Sequence, residues 1–144
     1  MDFSVRIYYE DTDCGGIVYH TNYIKYCERA RSEIFFSANA LPNTQRVGLV
    51  VRKLNADFLD SAKLGDLLKI KSEIIKIGSS SLTLKQEIFL DSAINFAESS
   101  AESLRKKLLF SCEVKLACID IKLKKIVKIP SEMLAILMPY FKGA

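Results

Sequence analysis

Hydrophobic and polar residues alternate over positions 3–9, with Phe3, Val5, Ile7 and Tyr9 on one side and Ser4, Arg6 and Tyr8 on the other. A two-residue period of this kind predicts a half-buried strand ending near Tyr9. A polar turn over 10–16 interrupts it. The period then lengthens: Tyr23, Tyr26, Cys27, Ala30, Ile34 and Ala38 recur at helical spacing, predicting one amphipathic to nearly buried helix through about Asn39. Its start falls in His20-Thr21-Asn22, where Thr or Asn can cap free amides, and Leu41-Pro42 stops it. Four β-type runs follow, at about 48–58, 66–77, 80–90 and 107–121. In the first of these Val50, Leu54, Ala56 and Phe58 are expected to face one way. In the third Leu82, Leu84, Ile88 and Leu90 do so, with Gln86 between them. Gly65-Asp66 and Ile77-Gly78-Ser79 supply turns, and the short gaps favour antiparallel hairpins. The stretch 91–107 breaks the strand pattern and reads as a solvated, briefly helical excursion. A short amphipathic segment, 133–137, follows Pro130.

One long helix with about five antiparallel strands is solved economically by curling the sheet around the helix, an α+β arrangement known as the hot-dog fold. Such a sheet leaves edges and a face to cover, so a homodimer or homotetramer is expected. At 144 residues the chain suits a single domain spanning 1–144.

Composition narrows the setting. With 49% hydrophobic and 26% charged residues and no apolar run of membrane-spanning length, a globular protein without a membrane span is expected. The amino terminus lacks the pattern of a signal peptide, so a cytoplasmic location is expected. The four cysteines, Cys14, Cys27, Cys112 and Cys118, show no CxxC spacing, and there is a single histidine; free thiols and no zinc site are expected. Cys112 and Cys118 share a strand face with Val114 and Leu116 and read as core. The net charge of +4 is modest, and no nucleic-acid partner is expected. Lysines crowd positions 122, 124, 125 and 128; such a run would attract an anionic ligand, although by itself it is usually a solvated face.

The densest chemistry lies between the first strand and the helix. Three carboxylates, Glu10, Asp11 and Asp13, two adjacent glycines and the only histidine fall within 10–20. A helix start offers unpaired N–H groups and partial positive charge, suited to a carbonyl becoming an oxyanion. Paired glycines allow close backbone approach. A carboxylate in the turn can act as base or nucleophile on the opposite side of that carbonyl. Each residue also has a structural reading: Asp11 or Asp13 as turn formers, His20 as a structural imidazole, Tyr9 as core. The Asp-x-Asp pair lacks a third oxygen-rich position for a metal, so no metal is expected. Cys14 lacks an orienting partner as a nucleophile and ranks below Asp13.

The segment YYEDTDCGGIVYHTNYIKYCERAR, residues 8–31, resembles the signature of the 4-hydroxybenzoyl-CoA thioesterase superfamily, in particular its YbgC-like branch. Weaker similarity continues through Asn55-Ala56-Asp57-Phe58, Leu64-Gly65-Asp66 and a Gly-Ser-Ser-Ser-x-x-x-x-Gln-Glu-Ile run over 78–88. The resemblance implies a hot-dog acyl-CoA thioesterase assembling as dimers or tetramers. It makes Asp13 the catalytic carboxylate, attacking the thioester or activating water. It places His20 where the backbone N–H polarises the carbonyl and the imidazole is implicated too, and Tyr9 near the same site. Gly16 and Val18 would shape the oxyanion turn, and Asn22 would hold it. Gly78, Ser79, Ser80 and Ser81 fall where relatives contact CoA; Ser79 stands where many carry a basic residue, and Lys76 is the substitute. No cofactor is implied, CoA entering as substrate, and acyl carrier protein is a further possible partner. Two other classes remain open at this level: a 3-hydroxyacyl thioester dehydratase, and a non-catalytic module that binds acyl carrier protein.

Overall fold

The computed structural model describes residues 2–94 and 107–142. Five strands, β1 (Asp2–Arg6), β2 (Val47–Phe58), β3 (Leu67–Ile77), β4 (Ser81–Ser92) and β5 (Lys107–Asp120), form one antiparallel sheet in the order β1-β3-β4-β5-β2. The long helix α1 (His20–Phe36) packs against the sheet, and a shorter helix α2 (Ser131–Leu137) follows β5. This is the hot-dog arrangement that the periodicity predicts. Among the described residues no helix is long and apolar enough to cross a membrane.

The central strands show why the sheet closes on the helix. Burial alternates through Ile74 in β3 and through Ile88 in β4, and the register puts Ile70 opposite Ile88 and Ile74 opposite Leu84. Two connected clusters result. One gathers Tyr23, Tyr26, Cys27 and Ala30 of α1 with Leu68, Ile70, Ile88 and Phe110. The other joins Ile34 and Phe35 to Ile74, Leu84, Val114 and, from α2, Met133 and Leu137. Each such apolar side chain, once buried, contributes about 1.5–3 kcal/mol. Between the clusters a polar strut crosses the core: the Gln86 side-chain amide donates to the Cys27 carbonyl at 2.9 Å and to Ser72 Oγ at 2.9 Å, while its oxygen accepts from Arg31 at 3.0 Å. Gln86 is fully buried, and with these partners it carries no unsatisfied desolvation cost. All four cysteines are free, with Cys14 exposed and the other three buried.

Three boundaries differ from the sequence reading. The first strand stops at Arg6 rather than near Tyr9. Ile7 instead pairs with the turn before β3, donating to Asp66 O and accepting from Gly65 N at 2.9 Å each. Tyr9 therefore sits in a 3-10 turn, residues Tyr9–Asp11, with its side chain 82% exposed rather than in the core. The helix ends at Phe36, not Asn39. Asn39 takes φ 56°, the left-handed conformation that closes helices, and Ala40 N–H reaches back to Phe35 O at 3.0 Å.

In β2 the expected common face of Val50 with Leu54, Ala56 and Phe58 fails at a bulge. Val51 pairs with Leu116 and Lys53 with Lys115, leaving Arg52 as the extra residue. Helix-facing positions are therefore Val47 and Leu49 before it, Leu54 and Ala56 after it, and Val50 is exposed. The excursion expected over 91–107 begins later than its pattern suggests, because β4 continues through Ser92 and Asp91 pairs with Lys69 at 3.9 Å. Residues 95–106 lie outside the described residues.

Candidate active site

The turn between β1 and α1 is held by Asp11 through both its carboxylate and its carbonyl. Its carboxylate accepts the Tyr8 N–H at 2.8 Å and the buried Tyr26 O–H at 2.7 Å. Its carbonyl accepts the Tyr19 N–H at 3.0 Å and the Asn22 side-chain amide at 2.8 Å. Burial and the neighbouring Asp11 both push the Tyr26 phenol up from its ordinary value of 10.0, so it stays a donor. Asn22, itself buried on the first turn of α1, thus ties the helix start to the loop.

From that anchor the chain makes a narrow return loop. Thr12 bridges Val18, Asp13 N–H donates to Ile17 O at 2.9 Å, and Gly16 N–H donates to Asp13 O at 3.1 Å. The two glycines answer different needs. Gly16 has φ 80°, which favours glycine whatever the space. A Cβ on Gly15 would lie 3.2 Å from Asp13 Oδ1, and it is the Gly15 N–H that donates to that oxygen at 2.8 Å. Asp13 is exposed. One of its oxygens is aimed by this amide, and its other oxygen has no protein partner among the described residues. Buried Val18 donates to Ala62 O at 2.9 Å and Ala62 N–H donates to Tyr23 Oη at 2.9 Å, which docks the loop on the segment after β2.

A cleft of about 440 Å³ opens at this place, and Asp13, Val18, Tyr19, His20 and Tyr23 line it from the loop and α1. Phe58, Leu59, Asp60 and Ser61 line it from the end of β2. The His20 ring meets Phe58 edge-on at 5.8 Å and Tyr19 at 4.7 Å. Phe58 is backed by Phe110 at 5.1 Å, which stacks on Tyr23 at 5.6 Å. The imidazole is held by an aromatic wall. No side chain caps the start of α1; its N-cap is Tyr19. The leading helix amides therefore have no side-chain acceptor, Asn22 N–H donating to the Tyr19 carbonyl at 2.9 Å, and both Tyr19 and His20 line the cleft.

Of the sequence-predicted residues, Asp13, Val18 and His20 come together here, with Gly16 in the supporting loop and Asn22 on the first turn of α1. Tyr9 does not line the cleft. Gly78, Ser79, Ser80 and Ser81 form the β3–β4 turn, where Gly78 N–H donates to Ser81 O at 2.7 Å, and Lys76 lies exposed beside it. That turn sits at the far end of β3 from the Asp13 loop, an 11-residue strand away, or roughly 35 Å. One chain does not bring the two together. The contribution of residues 58–61 was missed, because a strand end carries no local signal of which loop it will meet. Asp60 is also ion-paired with Lys107, which, together with the Ser61 N–H, holds its carboxyl below the ordinary 3.8.

On this hot-dog sheet the Asp13 loop and the start of α1 open on one cleft, and the sequence relatives say which class of protein carries it, a thioester hydrolase. The chain belongs to the thioesterase superfamily, whose family model matches residues 15–94. It is 41% identical over 115 residues to the acyl-CoA thioesterase YbgC of Helicobacter pylori, covering 80% of this chain and 83% of that protein. To the acyl-CoA thioesterase YbgC of Haemophilus influenzae it is 35% identical over 140 residues, 94% and 92% of the two chains. The crystal structure of a probable thioesterase from Bartonella henselae superimposes with a TM-score of 0.72 at 27% identity, covering 90% of this chain and 97% of that one.

Proposed function

We propose that the protein is a cytoplasmic acyl-CoA thioesterase in which Asp13 carries the reaction. The observation that carries this reading is the state of Asp13: an exposed carboxylate with one oxygen aimed by the Gly15 amide, the other free of protein partners among the described residues, in the same cleft as the start of α1. A thioester carbonyl placed against the leading amides of α1 is polarised by N–H donors and by the positive end of the helix dipole. The free oxygen of Asp13 then acts on the opposite face, either taking a proton from water or attacking the carbonyl carbon itself. In the first route hydroxide adds to the carbon and the C–S bond breaks. In the second, Asp13 forms an anhydride as the thiolate leaves, and water cleaves it. Both end in free acid and CoA, the thiolate taking up a proton, and neither calls on a metal or an organic cofactor. His20, set by Phe58 and Tyr19, flanks the reacting carbonyl.

The relatives' acyl-CoA activity supports CoA as the substrate carrier, and the positive balance of the chain suits its phosphates. Contacts to CoA from Lys76 and residues 78–81 at this cleft require a second copy of the chain, since within one chain they lie a strand's length away. A homodimer or homotetramer is therefore part of the proposal, with β2 as the edge it uses: this edge strand exposes Val50, Val51 and Phe58. Acyl carrier protein is a second presenter of the acyl group. The free thiols support a reducing cytoplasm.

The test is thiol release from short, long and aromatic acyl-CoAs by wild type and Asp13→Asn. Loss of a general base or nucleophile is expected to lower kcat by about 100- to 10,000-fold, with the unfolding midpoint unchanged because Asp13 is exposed. With a 3-hydroxyacyl-CoA as a further substrate, loss of water to an enoyl product without thiol release would instead identify a dehydratase, and an inert wild type that binds acyl carrier protein would identify a binding module.

A further inference from the structure

The lysine-rich segment after β5 plays no part in the cleft, yet it is built with unusual care. β5 turns back on itself so that Ile119 bridges Ile126; Asp120 N–H donates to Lys125 O at 2.8 Å and Val127 N–H to Cys118 O at 2.9 Å. Asp120 locks the bend from inside. Its Oδ1 accepts the Lys122 and Leu123 N–H groups at 3.0 and 2.9 Å, and its Oδ2 accepts Arg46 Nε at 2.8 Å. Its side chain is 7% exposed, and it is the only acid between positions 119 and 128. The outside of the same bend is cationic and greasy. Lys122, Lys124, Lys125 and Lys128 are all exposed, as is Arg46 beside them. Leu123 is 59% exposed, Ile126 54% and Ile121 38%. Lys124 takes φ 59°, a left-handed conformation that glycine or asparagine adopts more readily.

We propose that this bend is a membrane-docking tip that seats the protein on an anionic lipid bilayer. Lysines on a turn whose backbone is already fixed meet lipid phosphates without a backbone ordering cost, while Leu123 and its isoleucine neighbours enter the headgroup boundary. The pairing of basic and apolar side chains is what interfacial lipid binding requires. It also favours a bilayer over an acidic protein, which would call for a complementary concavity rather than a protruding leucine. Each cation near an anionic surface strengthens partition by about fivefold. Within one chain this surface lies away from the cleft, beside the β3–β4 turn, where Cys118 N–H donates to Ser80 O at 2.8 Å and Ile129 N–H to Ser79 O at 2.9 Å, and the proposal does not rest on the assignment of Asp13.

The test is co-sedimentation of the full chain with vesicles of equimolar phosphatidylglycerol and phosphatidylethanolamine, against vesicles of phosphatidylcholine alone. Wild type is expected to sediment with the anionic vesicles only, and to be released by salt. The combined Lys122→Glu, Lys124→Glu, Lys125→Glu variant should lose about 100-fold or more in partition, and Leu123→Ser about tenfold at unchanged charge. Thermal melts establish that both remain folded, and because Leu123 is exposed its variant decides the matter alone if the triple variant does not fold. Absence of wild-type binding to anionic vesicles, or binding by the Leu123→Ser variant equal to wild type, overturns the proposal. So does a tip that ignores vesicles but retains purified acyl carrier protein through its lysines.

Discussion

The two ends of α1 are packed in different materials. Its first turns sit among Tyr23, Tyr26, Phe58 and Phe110 and a hydrogen-bonded net centred on Asp11. Its last turns sink Ile34 and Phe35 into aliphatic side chains of β3, β4 and β5, closed over by Met133 and Leu137 of α2. The aliphatic end has only shape to offer, and α2 seals it. The aromatic end combines large rings with polar tips, so it can fix a loop and still leave an opening. An exposed carboxylate thus stands beside the helix start at one end, while the other end carries the aliphatic part of the core.

Substitutions can break this contrast in graded ways. Ile34→Ala strikes the sealed end, and a fully buried isoleucine cut to alanine is expected to cost about 3 kcal/mol. The urea midpoint should fall sharply, while thiol release by the folded fraction stays within about twofold. A matching loss of rate would mean that the aliphatic end also positions the cleft. Tyr26→Phe strikes the open end. It removes one hydrogen bond to Asp11 and should cost about 1–2 kcal/mol, but here kcat should drop severalfold, because the loop carrying Asp13 loses an anchor. Rate and stability thus separate at one end and fall together at the other.

The smallest effect lies away from both ends, at Asp120. The Leu123 amide, then the Arg46 guanidinium, hold its carboxyl below the ordinary 3.8. Between the folded value and 3.8 the unfolded chain binds more protons than the folded one, so the stabilisation is complete above 3.8 and lost as pH falls through the folded value. Urea midpoints of wild type and Asp120→Asn should therefore differ most near neutrality and converge in acid. Curves that stay parallel down to the lowest pH would mean that the carboxyl is not perturbed.

Much of the fold was legible because one side of each central element is buried. Burial alternates over the first eight residues of β3 and of β4, and α1 repeats its apolar positions at helical spacing, so period alone located them. The errors fell where a local turn or a bulge overrode the alternation. Tyr9 continues the alternation of Phe3, Val5 and Ile7, yet the Asp11 carboxylate takes the Tyr8 amide and turns the chain out of the sheet. Val50 continues an even-numbered pattern that the structure honours only after Arg52. For the site, the residues of the Asp13 loop were legible because they are contiguous in the chain. Phe58 and Asp60 reach the same cleft from a strand tens of residues away, through an Ala62 amide held by Tyr23, and nothing local announces that meeting.

The extra residue at Arg52 has a reach that its exposed position does not suggest. It works as a change of phase: the odd-numbered side chains of β2 face the helix upstream of it and the even-numbered ones downstream. Phe58 owes its side of the sheet to that half-cycle, and His20 owes Phe58 its aromatic neighbour. A chain lacking Arg52 would keep every residue of the cleft in its sequence and still turn the wall of that cleft inside out.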